Sequence, residues 1–447
     1  MRTTYWCELV WLHPGEVVEN VAVTVEDRRI AEVHPGVPAP PGAVRLAGLT
    51  LPGLANAHSH AFHRALRGHT QTERGSFWTW REQMYGVAAR LDPDGYLALA
   101  TATYAEMALA GITSVAEFHY VHHGPGGVPY DDPNAMGHVL VEAARRAGLR
   151  ITLLDTCYLT GGIGDALIGT QLRFGDGDAD RWAVRGEALA QAYDGADDVE
   201  IGAAIHSVRA VPPEQMHVVV DFAHRHAGPL HAHVSEQRAE NELCVDTYAA
   251  TPVQVLHEHG VLGPRSTVVH ATHLSDVDVA LLGGSITHVC MCPTTERDLA
   301  DGIGPARRLQ EAGAPVVFGS DSHAVIDLFE EARSVELHER LATRERGHWQ
   351  AAELLYAATA AGHASLGFPD AGCLVPGAWA DLVSVRLDSV RTAGATKGSA
   401  AESVVFAATA ADVHSVVSGG RRVVTDGRHV LGDVGALLRD VVASVRP

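Results

Sequence analysis

A (β/α)8 barrel with a small flanking β-sandwich is the fold this sequence predicts. Three observations predict it. Eight short β-branched or apolar runs alternate with Ala-, Leu-, Glu- and Arg-rich stretches across the middle of the chain. Five of those runs end in histidine or carboxylate, and barrel chemistry gathers at the C-terminal ends of strands. Both ends of the chain are β-rich, with turn-forming dipeptides between short runs.

The elements follow in order. VENVAVTVEDRRIAEVHPG and PPGAVRLAGLTLPGL read as strands and turns, and CLVPGAWADLVSVRLD and VHSVVSGGRRVVTDGRHV mirror them near the other end. Residues 1–50 and 373–447 are therefore expected to form one β-sandwich domain, and residues 51–372 the barrel. The eight barrel runs are LPGLANAHSH (51–60), ITSVAEF (112–118), RITLLDT (150–156), VEIGAAIHS (199–207), GPLHAHVSE (228–236), STVVHATH (266–273), SITHVCMCP (285–293) and PVVFGSDS (315–322). DGYLALATATYAEMALAG and GHVLVEAARRAG read as helices between them, and GGIGDALIGTQLRFGDGDADR as a long loop. The seventh and eighth runs lie close together for a full βα unit.

Composition narrows the function. The chain has 447 residues, 46% of them hydrophobic, and a formal net charge of −20. An acidic chain excludes nucleic acid as the expected partner. No apolar run approaches the roughly 20 residues of a membrane span, so no membrane partner is expected. Six scattered cysteines without a CxxC pair, and a start without signal-peptide architecture, predict a reduced cytoplasmic protein. An anionic substrate would need local arginines to offset the global field.

The polar residues at the strand ends carry the chemistry. His58 and His60 are two apart, so on a strand they share a face. With His233 and Asp321 they make a His3Asp donor set for one divalent ion. Zn2+ suits it, and Fe2+ or Mn2+ satisfy the same ligand types. Glu236, three residues after His233, is placed to exchange protons with a metal-activated water, and His270 to hydrogen-bond the attacking oxygen or polarise the substrate. Set against this, an isolated HxH is a weak signal, and Ser322 reads as a helix N-cap. His231 reads as a core histidine. His119, His122, His123, His257 and His259 read as loop or surface residues, and Cys290 and Cys292 as core packing.

LPGLANAHSH, HAHVSE, VVHATH, FGSDS and GCLVPGAWADLVSV together resemble the amidohydrolase superfamily over essentially the whole chain. The resemblance implies a metal-dependent barrel enzyme with His58, His60, His233 and Asp321 on the metal and Glu236, His270 and Asp321 in catalysis. Two-metal members mostly need a bridging lysine, and the one lysine here is Lys397, outside the barrel runs. One metal is therefore expected. NAHSHAFHRALRG, SFWTWREQMY, AEFHYVHH and IHSVRAV resemble the formimidoylglutamate deiminase branch, which implies substrate contacts from His63, Arg81, Tyr120, His206 and Arg209, a small dicarboxylate substrate and a homodimer. That branch usually has Gln where this chain has His63. Trp78 and Trp80 are expected either to pack a loop or to wall the pocket. The competing readings are a guanine, triazine or adenosine-derivative deaminase, a formamide-releasing ureohydrolase, and a non-enzymatic barrel scaffold.

Overall fold

The Val-rich segments at the two chain ends pair with each other. In the computed structural model, which describes residues 2–12, 15–71 and 74–446, the first segment supplies β1 (Arg2–Leu12), β2 (Glu16–Glu26), β3 (Arg29–His34) and β4 (Val44–Pro52). The barrel strands follow: β5 (Leu54–Ser59), β6 (Ile112–His119), β7 (Arg150–Cys157), β8 (Val199–Ile205), β9 (Leu230–Val234), β10 (Ser266–His270), β11 (His288–Met291) and β12 (Val316–Phe318). The last segment adds β13 (Leu382–Val385), β14 (Val413–Ser418), β15 (Arg421–Thr425) and β16 (Arg428–His429).

The outer strands make one eight-stranded sheet in the order β16-β15-β14-β13-β4-β1-β2-β3. Only the β1–β4 pair within it is parallel. Two of its two-residue turns are the dipeptides that the sequence singles out. Gly419-Gly420 joins β14 to β15 with φ of 52° and 77°, and Asp426-Gly427 joins β15 to β16 with 52° and 68°. Both residues of a type I′ hairpin need this left-handed region, which Gly and Asp tolerate. A small apolar core of Tyr5, Val21, Val23, Ile30, Leu46 and Leu382 belongs to this sheet.

The eight barrel runs form an all-parallel sheet in chain order, from β5 to β12. Parallel strands need helical crossovers, and the expected helices run over Pro93–Leu109 and Ala135–Ala147. The short interval before β12 holds two short helices, Pro293–Asp298 and Ala306–Ala312. The segment expected as a long loop contains a 3-10 turn, Gly169–Arg173, and its last residues begin the helix Ala179–Ala192. Among the described residues no helix is long and apolar enough to cross a membrane.

A buried ion pair ties the sheet to the base of the barrel. Arg150, the first residue of β7, places Nη1 3.1 Å from Asp381 Oδ1, and its Nη2 meets Oδ2. Arg150 also donates to Ser114 Oγ at 2.8 Å, while Asp381 accepts from Gly419 N–H at 2.8 Å. The guanidinium lies 4.5 Å from the ring centre of Trp379. Both charges are buried, so removing one leaves the other without compensation. Arg150→Met is expected to lower unfolding free energy by about 3–5 kcal/mol, measured by urea denaturation. An unchanged midpoint would show that the pair does not hold the two sheets together.

Candidate active site

The barrel closes where β5 meets the segment after β12, and that seam carries the polar cluster. Ser59 and Asp321 pair as a parallel bridge. Asp321 N–H donates to His58 O at 3.0 Å, and His60 N–H donates to Asp321 O at 3.3 Å. The seam is this tight because residue 319 is glycine: a Cβ there would lie 2.7 Å from His58 Cβ and 3.0 Å from Cys290 Sγ. Asn56 staples it from the side, donating to Ser320 Oγ (2.7 Å) and accepting from Ser320 N–H (2.9 Å). Main-chain pairing thus delivers His58, His60 and Asp321 to one point.

Their donor atoms converge with that of His233, from β9. His58 Nε2 is 3.1 Å from His233 Nε2 and 3.3 Å from Asp321 Oδ1, and His60 Nε2 is 3.5 Å from the same oxygen. Ligands of a tetrahedral zinc ion with bonds of about 2.0–2.1 Å stand roughly 3.3 Å apart, and these three spacings are close to that; the donor atoms of His58, His60 and His233 all lie within 4.8 Å of one another. The outer nitrogens of two of the three imidazoles fit as well. His60 Nδ1–H donates to Phe118 O and His233 Nδ1–H to His206 O, each at 2.9 Å. Carbonyls only accept, so these bonds fix the tautomer and leave each Nε2 lone pair facing inward.

Electrostatics agree with a ligand role. Burial, with neighbouring histidines, pushes His60 down to about 3 and His233 well below the usual imidazole range. Neutral imidazole is the form that ligates. Burial alone would raise Asp321, but its hydrogen bond with His58 and the nearby His58, His270 and His60 hold it well below the usual carboxylate range. Asp321 (φ 39°) and His270 (φ 71°) sit in left-handed backbone, which costs on the order of 1–3 kcal/mol per residue and clusters at functional sites.

A second layer of polar residues supports the seam, and the sequence reading did not name it. Asn56 donates to Ser320 Oγ, Ser320 Oγ–H reaches His323 Nδ1 (3.0 Å), His323 Nε2–H reaches Ser59 Oγ (3.2 Å), and Ser59 Oγ–H donates to Glu117 (2.6 Å). Glu117 also accepts from Ala61 N–H at 2.7 Å. Burial pushes Glu117 up to about 7 against these donors. Phe118 floors the ligand cluster, its ring centre 4.4 Å from that of His233. The available signal was a carboxylate in the otherwise uncharged run ITSVAEF.

Above the ligands lies a cavity lined by His60, His63, Arg81, Tyr120, His206, Arg209, His233, Glu236, His270 and Asp321. Every expected site residue except His58 reaches it; His58 lies beneath, fully buried. Glu236 sits between His270 Nε2 (3.7 Å) and Arg209 (3.8 Å). Arg209 Nε also faces Glu240 Oε1 at 3.7 Å. These spacings exceed a hydrogen bond, and Arg209 Nε and Arg81 Nε are buried without a hydrogen-bond partner. Both guanidiniums therefore keep capacity for an incoming carboxylate. His63 meets Tyr120 Oη at 3.0 Å, and His206 packs on Tyr158 with ring centres 4.3 Å apart. Trp80 lines the cavity, while Trp78 is half exposed and lies against Arg81.

Some expectations are corrected here. His119, His122 and His123 are buried rather than on the surface; His123 pairs with Asp176 at 3.0 Å, within a network in which Arg185 bridges Asp155 and Asp176. Ser322 does not cap a helix: its Oγ contacts Thr295 Oγ1 at 3.0 Å, and Asp327 caps the following helix Leu328–Thr343. His231 is a core histidine, bonded to Ser365 O, and Cys290 and Cys292 are buried. Lys397 pairs with Glu19 on the outer sheet, far from a bridging position.

A closed parallel barrel with buried neutral imidazoles and a carboxylate at its C-terminal seam defines a metal-dependent hydrolase. The amidohydrolase family model matches residues 49–423, and the chain belongs to that family. It is 37% identical over 424 residues to formimidoylglutamate deiminase of Pseudomonas aeruginosa, covering 92% of each chain. It is 32% identical over 381 residues to 8-oxoguanine deaminase of the same organism, covering 83% of each. The crystal structure of an amidohydrolase from Brucella melitensis superposes with a TM-score of 0.92 over 99% of both chains, at 31% identity.

Chelated protein is expected to gain stability on adding Zn2+, by about 4 kcal/mol when free metal is roughly 1,000 times Kd. His233→Ala should abolish the gain. Thermal melts with metal analysis check this, and an equal gain in the variant would place the ion elsewhere.

Proposed function

We propose that the chain hydrolyses the imino carbon–nitrogen bond of N-formimidoyl-L-glutamate, giving N-formyl-L-glutamate and ammonia. The observation that carries this reading is the polarity of the cavity. It presents Glu236, Asp321 and the imidazoles together with two arginines, Arg209, whose Nη2 is 3.8 Å from Glu236, and Arg81. Arg81 also lines the outer crevice with Glu82 and Tyr85. A substrate with a cationic amidine at one end and two carboxylates at the other matches that arrangement charge for charge. The 37% identity to a formimidoylglutamate deiminase supports it.

In this reading His58, His60, His233 and Asp321 hold one divalent ion, with Zn2+ best suited to the nitrogen-rich set. When bound, the ion supplies a water whose pKa falls toward about 7. Arg81 and Arg209 grip the two carboxylates in bidentate fashion and fix the amidine carbon over the ligand cluster. Glu236 takes the proton of the attacking water and delivers it to the departing nitrogen, a role worth about 10²–10⁴ in rate. His270 lies within 3.7 Å of Glu236 and 3.8 Å of Asp321. Burial disfavours its charge, but Glu236, Glu296 and Asp321 outweigh that and hold it well above the usual imidazole range. It therefore donates to the oxygen that develops negative charge. Tyr120 and His63 close the far wall beside the imino group.

A purine deaminase is the second reading, favoured by the 32% identity to 8-oxoguanine deaminase. A flat neutral purine leaves both arginines without an anionic ligand. Ammonia release from a panel of both substrate classes separates the readings: formimidoylglutamate should yield ammonia and N-formylglutamate. Ammonia from the purine alone would overturn the proposal, and formamide would move the cleaved bond.

Two variants test the roles. Glu236→Gln should keep its metal and lose about 10²–10⁴ in kcat; normal turnover would remove Glu236 from the mechanism. Arg209→Met should lower kcat/KM by about two or more orders, given roughly 2–5 kcal/mol for a truncated buried charge pair. An unchanged value would move the carboxylate site.

A further inference from the structure

The segment Cys292-Pro293-Thr294-Thr295-Glu296 follows β11 and received no function from the sequence. Its glutamate is buried. Glu296 Oε1 accepts from Cys292 N–H at 2.8 Å and lies 3.4 Å from His270 Nδ1. A buried carboxylate needs donors or a cation to offset its desolvation. Two further neighbours, Asp301 and Glu331, are acids and add to the cost. His270 is the group at the catalytic cavity that satisfies Glu296.

We propose that Glu296 is a positioning residue for His270, holding its Nδ1–H so that Nε2 points at the reacting atoms. The geometry distinguishes this ring from its neighbours. His60 and His233 are held from behind by main-chain carbonyls, whereas His270 is held by a side-chain carboxylate. Glu296 is itself anchored on Cys292 N–H, so its oxygen cannot swing away without breaking a second bond. The His270 ring stacks on His233 at 5.7 Å with an interplanar angle of 12°, which sets its plane but not which nitrogen faces inward. Glu296 settles that choice. Nε2 then faces Glu236 Oε1 at 3.7 Å and Asp321 Oδ2 at 3.8 Å, spacings that leave room for a reacting oxygen between them. Without the carboxylate the ring can flip or change tautomer, and the donor to the developing oxyanion is lost.

This inference rests on the hydrolytic role given to His270 above, and its test is separable from the substrate reading. The zinc-loaded enzyme is assayed on whichever member of the substrate panel it converts. Glu296→Gln is nearly isosteric and keeps an acceptor for Cys292 N–H. It should lower kcat by about 10–100-fold with KM within roughly threefold and zinc content unchanged. In a His270→Asn background the same substitution should change kcat by less than about twofold, because its effect passes through the missing ring. Nitrogen-15 spectra of histidine-labelled protein should show the ring signals that vanish in His270→Asn shifting in Glu296→Gln. If Glu296→Gln does not fold, Glu296→Asp, which withdraws the carboxylate from His270, is expected to give the same pattern. Unchanged kcat, equal losses in both backgrounds, or unmoved His270 signals would each overturn the proposal. Failure of formimidoylglutamate as a substrate would overturn only the substrate reading.

Discussion

Closure of the barrel between β5 and the segment after β12 is the constraint on which the site depends. The two strands are the first and last of the barrel, so the seam joins residues some 260 positions apart, as the Asn56–Ser320 hydrogen bonds show. It also supplies three of the four proposed metal ligands through main-chain register alone. A bulkier residue at 319 would press on His58 and open the seam. Backbone pairing places ligands more precisely than flexible loops do. The ordered chain from Asn56 through Ser320, His323 and Ser59 to Glu117 then locks the outer side, each hydrogen bond polarising the next.

Charged groups of both signs line the cavity. Glu236, Glu296, Asp301 and Asp321 surround His270, and burial pushes Asp301 up to about 8 in the field of these acids. Such a concentration of carboxylates is tolerable beside a bound cation and a cationic substrate group, and costly without them. Arg209, between Glu236 and Glu240, offsets part of this negative charge. In a chain of net charge −20, the local field near the arginines opposes the global one, which is what the proposed dicarboxylate substrate requires.

Much of this was legible in the sequence because strand periodicity and strand-end chemistry are local signals. All eight runs became strands, and the HxxE, His and Asp at their ends, with the second histidine of HxH, line one cavity above His58. The outer layer was not legible, because it is made of pairs between distant segments. Glu117 sits inside an apolar run and becomes meaningful only when Ser59 is laid beside it. His119 ends β6, and His122 and His123 lie in the loop after it as expected, but nothing local shows that Asp155, Asp176 and Arg185 come to bury them. Ser322 follows the Gly-Ser-Asp pattern of a cap, yet the tight seam turns it toward Thr295 instead.

X-ray absorption at the metal edge of the zinc-loaded protein tests the convergence of these donors most directly. The expected spectrum has imidazole nitrogens and carboxylate or water oxygen at about 2.0–2.2 Å with imidazole multiple scattering. A sulfur shell near about 2.3 Å, which would bring Cys292 onto the ion, or a shell without imidazole would contradict it.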